Sequence, residues 1–345
     1  MMRGGPAWRR TGILLDSARQ RWREIRRHST AGRRQLRTFE SGPRYRPWTS
    51  SGRNRVDCTS VASLGCVDLF VRQMGPDPFA APPLVVIHGG PDWDHTYLLP
   101  GLIPVSSYRH VILFDMRGCG QSTRGLGPDG YQPEFVVEDL ARLIRTLGHN
   151  RVDLLGFSTG GQVAQLFVEA HPDLVGNLIL ASTTAYTDVG QFLAGWEEYE
   201  RRLQVVAPWP AWMDFPRGEG LEDIQGTEQW AVDAAPTAIW NLGRIDEYLA
   251  LLGEVRFSGE WIGPFREGRL HPWRPKDPER VLRDFDGRIL ILHGAQDMGF
   301  PVQVAERLHR AVPATRLSVI DQAGHMAHFD QPSAWAATVL DFLAG

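Results

Sequence analysis

From about residue 60 the sequence alternates between short apolar segments and longer segments with helical spacing, and this alternation constrains the fold more than any other feature. The segment PLVVIHGGP (83–91) is a run of apolar residues that enters a glycine turn, and HVILFDMRG (110–118) repeats the same plan. Strands that are covered by helices on both faces have this composition. The pattern therefore predicts an α/β fold in which helices flank a mostly parallel sheet.

The strand and helix units continue along most of the chain. VDLFVRQ (67–73) alternates as an outer strand does, EFVVEDLARLIRTLG (134–148) has the apolar stripe of an amphipathic helix, and RVDLLGF (151–157) is a buried strand. We expect a helix after it at 160–172, further strands at 174–183, 288–293 and 315–320, and further helices at 301–312 and 332–344.

The strand–helix rhythm stops between residues 185 and 286, where tryptophan is concentrated. Helical segments are expected there around 190–205 and 228–253. We interpret this interval as a helical cap inserted over the carboxyl edge of the sheet, between a first core segment at 57–184 and a second at 287–345. Seven of the twelve tryptophans lie in it, namely Trp196, Trp209, Trp212, Trp230, Trp240, Trp261 and Trp273.

The first 56 residues have a different charge balance from the rest of the chain. They contain 15 Arg against Asp16, Glu24 and Glu40, whereas the whole chain has a net charge of −3. A segment so rich in arginine and poor in apolar residues cannot bury enough surface to become ordered, so we expect a mostly disordered N-terminal extension. A nucleic-acid arm, an anionic-membrane arm or a transit peptide would each explain such a segment. Basic tails without interleaved aromatic residues are weak evidence for a partner, however, so an upstream extension or a misassigned start is favoured.

The cysteines and the hydropathy favour a reducing compartment. Cys58, Cys66 and Cys119 are odd in number and show neither a CxxC pair nor metal-ligand spacing, so we expect neither a disulfide framework nor a zinc site. No apolar run approaches the roughly 20 residues of a membrane span. The loop DWDH (92–95) carries metal-ligand residue types, but we expect its side chains to be solvated. We therefore predict a cytoplasmic protein without a cofactor or metal ion, and the oligomeric state stays open.

The segment GFSTGG (156–161) places Ser158 between a buried strand and a helix. A Gly-x-Ser-x-Gly turn in this position pushes a serine hydroxyl into a cleft, which makes Ser158 a candidate nucleophile. Structural turns in glycine-rich chains also have this pattern. A serine acts as a nucleophile only with a histidine base beside it and a carboxylate behind the histidine, so the partners decide between the two interpretations.

Both partners follow later strands. ILHGAQDMGFP places Asp297 just past one strand, and IDQAGHMAHFDQP places His325 just past the next, in the chain order Ser, Asp, His. Three suitable residue types at three strand ends are much harder to obtain by accident than one pentapeptide. The weaker alternatives are His328 as the base and Asp188, Asp284 or Asp286 as the carboxylate.

The chain also offers two backbone donors for an oxyanion. A tetrahedral intermediate needs two N–H groups about 3 Å from its oxygen. Thr159 directly follows the serine and supplies the first. Gly90 in HGGP is the best candidate for the second, because a glycine does not obstruct the approach of a substrate oxygen. The predicted site is therefore Ser158, Asp297 and His325, with an oxyanion hole at Gly90 and Thr159.

With these motifs, the chain resembles the α/β-hydrolase superfamily from about residue 60 to its C-terminus. HGGP (88–91) together with DMRGCGQS (115–122) resembles the proline iminopeptidases and their relatives in peptidase family S33. The resemblance implies a cytoplasmic hydrolase that removes an N-terminal proline, or hydrolyses related amides and esters, beneath a helical cap. It also implies that a structural loop near the site contains Asp115, Arg117 and Gly118.

Two positions depart from the proline iminopeptidase pattern. Those enzymes typically carry Gly-Gly-Ser-Trp-Gly at the elbow, where this chain has Thr159 after the serine, and glycine after HGGP, where this chain has Asp92. The elbow is similar to that of a general esterase. A peptidase of this kind also needs cap carboxylates that hold the ammonium group of the substrate, although each one taken singly is expected on a solvated helix face. The candidates include Glu197, Glu198, Glu219, Glu222 and Glu228.

The sequence thus predicts a metal-free serine hydrolase that acts on a small-molecule or short-peptide substrate through an acyl-enzyme. Within this class, a proline iminopeptidase-like enzyme stands beside an esterase, lactonase, thioesterase or acyltransferase of secondary metabolism. From a different class, a non-catalytic ligand-binding receptor on a hydrolase scaffold would be stabilised by its ligand without consuming it. The tryptophan-rich cap favours an apolar or aromatic acyl group.

Overall fold

The structure is a computed structural model that describes residues 56–90, 92–204 and 224–345. Its strands are β1 Val56–Ser63, β2 Asp68–Gly75, β3 Leu84–Ile87, β4 Val111–Phe114, β5 Val152–Phe157, β6 Val175–Ala181, β7 Arg288–Gly294 and β8 Arg316–Ile320. Within the described ranges they form one sheet in the order β1-β2-β4-β3-β5-β6-β7-β8. β2 is antiparallel to β1 and β4, and the other neighbours are parallel. The predicted α/β fold with a mostly parallel sheet is confirmed.

Helices pack on both faces of this sheet, which explains why the central strands are apolar on both sides. Val85 of β3 belongs to one apolar cluster with the helix Pro133–Thr146. Val86 belongs to a second cluster with the helices Leu99–Ser106 and Pro332–Ala344. The remaining α-helices described are Thr159–Ala170, Glu197–Leu203, Ile224–Ala238, Ile245–Glu254, Ile262–Arg266, Pro278–Asp284, Val302–Ala311 and Ala327–Asp330.

Two elements were absent from the sequence-based expectations. β1 pairs with β2 along its whole length, from Val56 opposite Gly75 to Ser63 opposite Asp68, so Val56 begins a strand instead of ending the basic extension. The alternation of apolar and polar residues in β1 is weak because β1 is an edge strand with mostly polar, half-exposed residues. The helix Leu99–Ser106 contains Pro104 and a buried Gly101, which sequence reasoning treats as helix breakers.

The interval predicted as a cap lies between β6 and β7 and is largely helical where it is described. The helices Ile224–Ala238 and Ile245–Glu254 pack against each other over the carboxyl ends of the strands. The helix Pro278–Asp284, at the end of the interval, packs instead against Thr159–Ala170 on the opposite face of the sheet. The domain boundaries at 185 and 286 stay a prediction, and the residues of the predicted extension before Val56 lie outside the described part.

In the described part of the chain, no helix combines the length and the apolar character that a membrane-spanning segment requires. Cys58, Cys66 and Cys119 are all free thiols, and Cys119 is buried.

Candidate active site

Ser158 occupies a sharp turn between β5 and the helix Thr159–Ala170. Its backbone has φ of 55° and ψ of −124°, a conformation that residues other than glycine rarely adopt. The turn fits only because its neighbours are glycines: a Cβ on Gly160 would lie 2.3 Å from the carbonyl oxygen of Ile87. A Cβ on Gly156 would lie 2.5 Å from the carbonyl oxygen of Gly160. The spacing of GFSTGG is therefore what this strained strand-to-helix turn requires.

The three residues predicted as a triad lie in one hydrogen-bonded chain. Oγ of Ser158 is 3.1 Å from Nε2 of His325, and Nδ1 of His325 is 2.9 Å from Oδ2 of Asp297. All three side chains are buried. In the tautomer with the proton on Nδ1, His325 donates to the carboxylate and its Nε2 is ready to accept the serine proton. The geometry is that of an activated serine with an oriented base.

Asp297 is held in one position by backbone donors. Its Oδ1 accepts hydrogen bonds of 2.8 Å from the N–H groups of both Gly299 and Phe300, which leaves Oδ2 for His325. Burial by itself raises the pKa of Asp297, but the charge and the hydrogen bond of His325 and the backbone bonds outweigh burial, so the pKa is lowered. The carboxylate is therefore ionised at neutral pH and can stabilise a protonated His325.

His293, a residue that the sequence analysis did not single out, supports the loop that carries Asp297. Its Nε2 donates to the carbonyl oxygen of Phe300 at 2.6 Å and lies 3.4 Å from Oδ2 of Asp297. Burial lowers the pKa of His293, so the ring is neutral near pH 7. The hydrogen bond from His293 to Phe300 thus holds the turn from residue 297 to 300 in place. The only signal in the sequence was its place in ILHG, at the end of a buried strand.

The alternatives to this triad lie in unsuitable surroundings. His328 is fully buried, donates from Nε2 to the carbonyl oxygen of Tyr97 at 3.0 Å, and packs edge-on against Phe157. Burial lowers its pKa to about 3. The three alternative carboxylates are exposed, and two of them pair with arginines: Asp188 with Arg307, and Asp284 with Arg280, whereas Asp286 is simply exposed.

The structure places both predicted oxyanion residues near the serine. Thr159 is the first residue of the helix after Ser158, and Gly90 lines the same cleft as Ser158 and His325. Gly90 has φ of +58°, and a Cβ at this position would lie 3.0 Å from the indole of Trp93. Glycine is thus required at residue 90 both by the backbone and by the aromatic ring that packs on it.

The expectation that the DWDH loop is solvated is wrong. Asp92 is 1% exposed, because residues 258–262 from the predicted cap cover it. Its carboxylate accepts hydrogen bonds from Oγ of Ser258 at 2.7 Å and from the backbone N–H groups of Trp261 at 3.0 Å and Ile262 at 3.1 Å. Burial raises the pKa of Asp92, although these hydrogen bonds oppose the shift. The side chain joins the loop of Gly90 to the segment above it.

The other polar residues of this loop are also used within the protein. Asp94 accepts from the backbone N–H groups of Thr96 and Arg256, and Nδ1 of His95 is 2.7 Å from Oδ1 of the buried Asp115. Among the residues that the structure describes, no cluster of three or more His, Cys, Asp or Glu side chains is arranged to hold a metal ion.

The segment DMRGCGQS forms a turn beside this loop. Arg117 makes a two-pronged ion pair with Asp139, at 2.7 and 2.8 Å, and its carbonyl oxygen accepts from Nε1 of Trp261 at 2.8 Å. Gly118 has φ of +77°, and a Cβ there would lie 2.6 Å from the ring of Tyr131. These contacts connect the turn to the helix that starts at Pro133 and to the predicted cap, as a structural loop would.

A cleft that is partly open to solvent leads to Ser158 and His325, and the space between its walls is about 530 Å³ with the open solvent at its mouth included. Its described walls are mostly aromatic and aliphatic, a composition that suits the apolar part of a small molecule. Besides the catalytic residues and Gly90, the walls consist of Trp93, Tyr97, Phe157, Trp230, Ala234, Thr237, Ala238, Tyr248, Gly299 and Met326. The sequence analysis named Trp230 only as a cap residue and missed Trp93, Tyr97 and Tyr248, although Trp93 stands three residues after Gly90.

The cap glutamates proposed as ammonium ligands are spread over different environments. Glu197 is exposed, and Glu198 pairs with Arg201 on its own helix. Glu228 is buried on the helix Ile224–Ala238, but it is not part of the described walls of the cleft. Glu219 and Glu222, like Trp209 and Trp212, lie outside the described residues.

Comparison with known proteins gives a consistent family. Residues 82–332 match the family model described as alpha/beta hydrolase fold. The chain is 27% identical over 268 residues to a candidate 2-succinyl-6-hydroxy-2,4-cyclohexadiene-1-carboxylate synthase of Bacillus subtilis (strain 168), a match that covers 77% of this chain and 92% of that protein. It is 26% identical over 278 residues to a proline iminopeptidase of Lactobacillus helveticus (strain DPC 4571), covering 76% of this chain and 90% of that protein.

A solved structure gives the same result for the fold. The enol-lactonase from Burkholderia xenovorans LB400 is similar with a TM-score of 0.64 and 21% sequence identity. The match covers 83% of this chain and 100% of that chain.

Proposed function

This chain belongs to the α/β-hydrolase family, and from that membership and the geometry around Ser158 we propose that it is a serine hydrolase that cleaves carboxylic esters with a largely apolar acyl group. One observation carries the proposal: the hydrogen-bonded chain from Ser158 through His325 to Asp297 opens into an aromatic cleft. A serine in this arrangement attacks carbonyl carbons.

In the acylation step, Oγ of Ser158 attacks the ester carbonyl while Nε2 of His325 takes its proton. Asp297 keeps the ring in the correct tautomer and stabilises its positive charge. The backbone N–H groups of Gly90 and Thr159 donate to the oxyanion of the tetrahedral intermediate. When this intermediate collapses, His325 gives the proton to the leaving alcohol and the acyl group stays on Ser158.

In the deacylation step, a water molecule repeats the attack on the acyl-enzyme. His325 now accepts a proton from the water, and the second tetrahedral intermediate uses the same two backbone donors. Its collapse releases the carboxylic acid and returns the proton to Ser158. No step requires a metal ion or a redox cofactor.

The walls of the cleft support an ester with an apolar acyl group. Among the described residues, five aromatic side chains line this part of the site, and Ala234, Ala238 and Met326 add aliphatic surface. The aromatic residues are Trp93, Tyr97, Phe157, Trp230 and Tyr248. Burial of an apolar group contributes about 25 cal/mol for each Å² that is removed from water. An acyl chain of several carbons would therefore provide most of the binding energy that positions the carbonyl carbon at Ser158.

A proline iminopeptidase-like activity is the second candidate. The specific support is the 26% identity to proline iminopeptidases over about three quarters of this chain, together with the HGGP motif. The two candidate functions require different side chains in the cap, because only an aminopeptidase has to bind the ammonium group of its substrate.

The test is a comparison of wild type and Ser158→Ala on p-nitrophenyl esters of increasing acyl length and on proline p-nitroanilide. We expect ester hydrolysis that rises with acyl length and falls to the background rate in Ser158→Ala. Preference for the anilide would support the iminopeptidase instead. Ester hydrolysis that is unchanged in Ser158→Ala would overturn the assignment of the nucleophile, and a compound that raises the melting temperature without being consumed would support a receptor.

A further inference from the structure

Tyr248 lines the cleft with its side chain and carries a buried hydroxyl group that has no hydrogen-bond partner among the described residues. The side chain lies on the helix Ile245–Glu254 and is 1% exposed. Its ring packs against Phe329 with 5.1 Å between the ring centres. Its hydroxyl oxygen is inaccessible to solvent and makes no hydrogen bond with any described residue. Burying a hydroxyl without a partner costs about 1–3 kcal/mol, so phenylalanine would suit an entirely apolar wall better.

The other tyrosines that pack near the site show how such hydroxyls are normally satisfied in this protein. The hydroxyl of Tyr97 accepts from the N–H group of Gly89 at 2.8 Å, and the hydroxyl of Tyr131 accepts from the N–H group of Leu126 at 3.1 Å and also bonds Glu260. Tyr248 lines the substrate cleft, as Tyr97 does, but it differs from both tyrosines because its hydroxyl lacks such a partner. A ligand in the cleft is therefore the natural partner for this hydroxyl.

A second unpartnered donor borders the same cleft. Nε1 of Trp93 is buried and makes no hydrogen bond with the described residues. The rings of Tyr97 and Phe257 meet the indole nearly edge-on, at interplanar angles of 80° and 78°, and a ring face is only a weak acceptor for an N–H group. The cleft thus combines aromatic walls with two donors, Tyr248 and Trp93, in addition to the groups that act on the carbonyl carbon.

The residues that line the cleft also indicate the charge of the ligand group that Tyr248 would bind. None of the described residues that line the cleft is a lysine or an arginine. A carboxylate that is buried there would lack a cation, and this costs far more than burying a neutral oxygen. A neutral ketone or ether oxygen would accept from Tyr248 without that penalty.

We propose that the cleft selects esters whose apolar acyl chain carries one neutral hydrogen-bond acceptor, such as a ketone oxygen, and that Tyr248 donates its hydroxyl proton to this oxygen. Trp93 supplies a second donor to the same group or to a neighbouring one. This inference rests on the proposed ester hydrolysis at Ser158 and adds to it the part of the substrate that lies away from the ester bond.

The experiment compares p-nitrophenyl octanoate with its 5-oxo, 6-oxo and 7-oxo analogues, which share the leaving group and the chain length. Wild type should hydrolyse at least one oxo ester with a kcat/KM about tenfold above that of the plain octanoate. Tyr248→Phe should remove this advantage, so that the ratio of kcat/KM between the oxo ester and the octanoate falls about tenfold, because one neutral hydrogen bond corresponds to roughly a factor of ten. Ser158→Ala gives the background rate for every ester.

The melting temperature provides an independent readout. Tyr248→Phe removes a hydroxyl without a partner, so the melting temperature should stay the same or rise. Tyr131→Phe, the matched control, removes a hydroxyl that bonds Glu260 and should lower it. A clear fall in Tyr248→Phe would mean that the hydroxyl is satisfied inside the protein, and this would overturn the inference.

The two proposals fail in different ways. If Ser158-dependent hydrolysis is found but Tyr248→Phe changes all four esters equally, the inference is wrong and the serine hydrolase stands. If no ester is hydrolysed in a Ser158-dependent manner, the proposed function is wrong. The inference is then decided by calorimetric titration of the same esters into Ser158→Ala and into Ser158→Ala with Tyr248→Phe. Tighter binding of an oxo ester only where Tyr248 is present supports it, and equal binding overturns it.

Discussion

The loops that follow β7 and β3 each bring a buried carboxylate to the active-site edge, but the two carboxylates have opposite pKa shifts. Asp297, after β7, faces His325, and its pKa is lowered although burial by itself raises it. Asp92, after β3, is hydrogen-bonded by neutral donors, and burial raises its pKa against the effect of these bonds. The charge of the neighbour, and not burial, therefore decides which carboxylate is held firmly in its ionised form.

The two loops also differ in where their partners come from. Asp297 is bonded by Gly299 and Phe300 within its own turn and by His325 at the end of the adjacent strand β8. Asp92 is bonded by Ser258, which is 166 residues away in the chain. The first arrangement orients a base, whereas the second connects the loop of Gly90 to the segment that covers it. We expect changes in the first loop to affect catalysis and changes in the second to affect stability.

Asp297→Asn should give the largest effect, a loss of about 10⁴-fold in kcat/KM for ester hydrolysis. The asparagine oxygen can still accept from Gly299 and Phe300, but its amide group then faces Nδ1 of His325. The ring is forced into the tautomer with the proton on Nε2, which cannot accept the proton of Ser158.

The control for this variant is Asp284→Asn, on the helix before β7, where the side chain is 66% exposed. It should hydrolyse esters like wild type. Unfolding in urea should show little change for either variant. A loss of less than tenfold in Asp297→Asn would mean that the orientation of His325 does not depend on this carboxylate.

Asp92→Ala should give the largest loss of stability, about 2–4 kcal/mol in the free energy of unfolding. The change leaves the hydroxyl of Ser258 and the N–H groups of Trp261 and Ile262 without their acceptor. Asp92→Asn should lie between alanine and wild type, because asparagine keeps one acceptor oxygen and tolerates the φ of +77° at this position.

Urea denaturation measures this effect, with Asp129→Ala as the matched control because its side chain is 95% exposed. If Asp92→Ala is as stable as wild type, the cost of burying the charge equals the gain from its hydrogen bonds, and the contrast between the two loops disappears. A loss confined to kcat, with unchanged stability, would instead assign Asp92 to the catalytic machinery.

The same contrast explains what the sequence could predict. Ser158, Asp297 and His325 were identifiable because each follows a parallel strand, and the carboxyl ends of parallel strands meet at one edge of the sheet. The role of Asp92 could not be identified from the sequence, because its partners lie in an interval without a repeating pattern. Tyr248 was missed for the same reason, since helical spacing does not say which side of a cap helix faces the cleft.

Two elements of the fold were also beyond local pattern reasoning. The helix Leu99–Ser106 forms around Pro104 because tertiary packing, including that of Gly101 against His328 and Trp335, outweighs the low helix propensity of these residues. β1 is an edge strand whose exposed face removes the apolar alternation on which strand prediction depends.

The smallest effect is expected at His328, which lies three residues after His325 but is hydrogen-bonded to the backbone of Tyr97 and not to a catalytic side chain. Burial lowers the pKa of His328 to about 3, while an unfolded histidine titrates near 6.5. Between these values the unfolded state binds a proton that the folded state does not, so stability falls as the pH is lowered from about 6.5. At pH 5 this contribution reaches about 2 kcal/mol relative to pH 7 or above.

His328→Gln keeps a donor for the carbonyl oxygen of Tyr97 but does not titrate. Its free energy of unfolding should therefore fall less than that of wild type between pH 7 and pH 5, by up to about 2 kcal/mol, when both are measured in urea. Its pH–rate profile for ester hydrolysis should match that of wild type, because a neutral, enclosed imidazole supplies no proton to the reaction. A profile shifted by this change would mean that His328 and His325 titrate as a pair, and the base could then not be assigned to His325 alone.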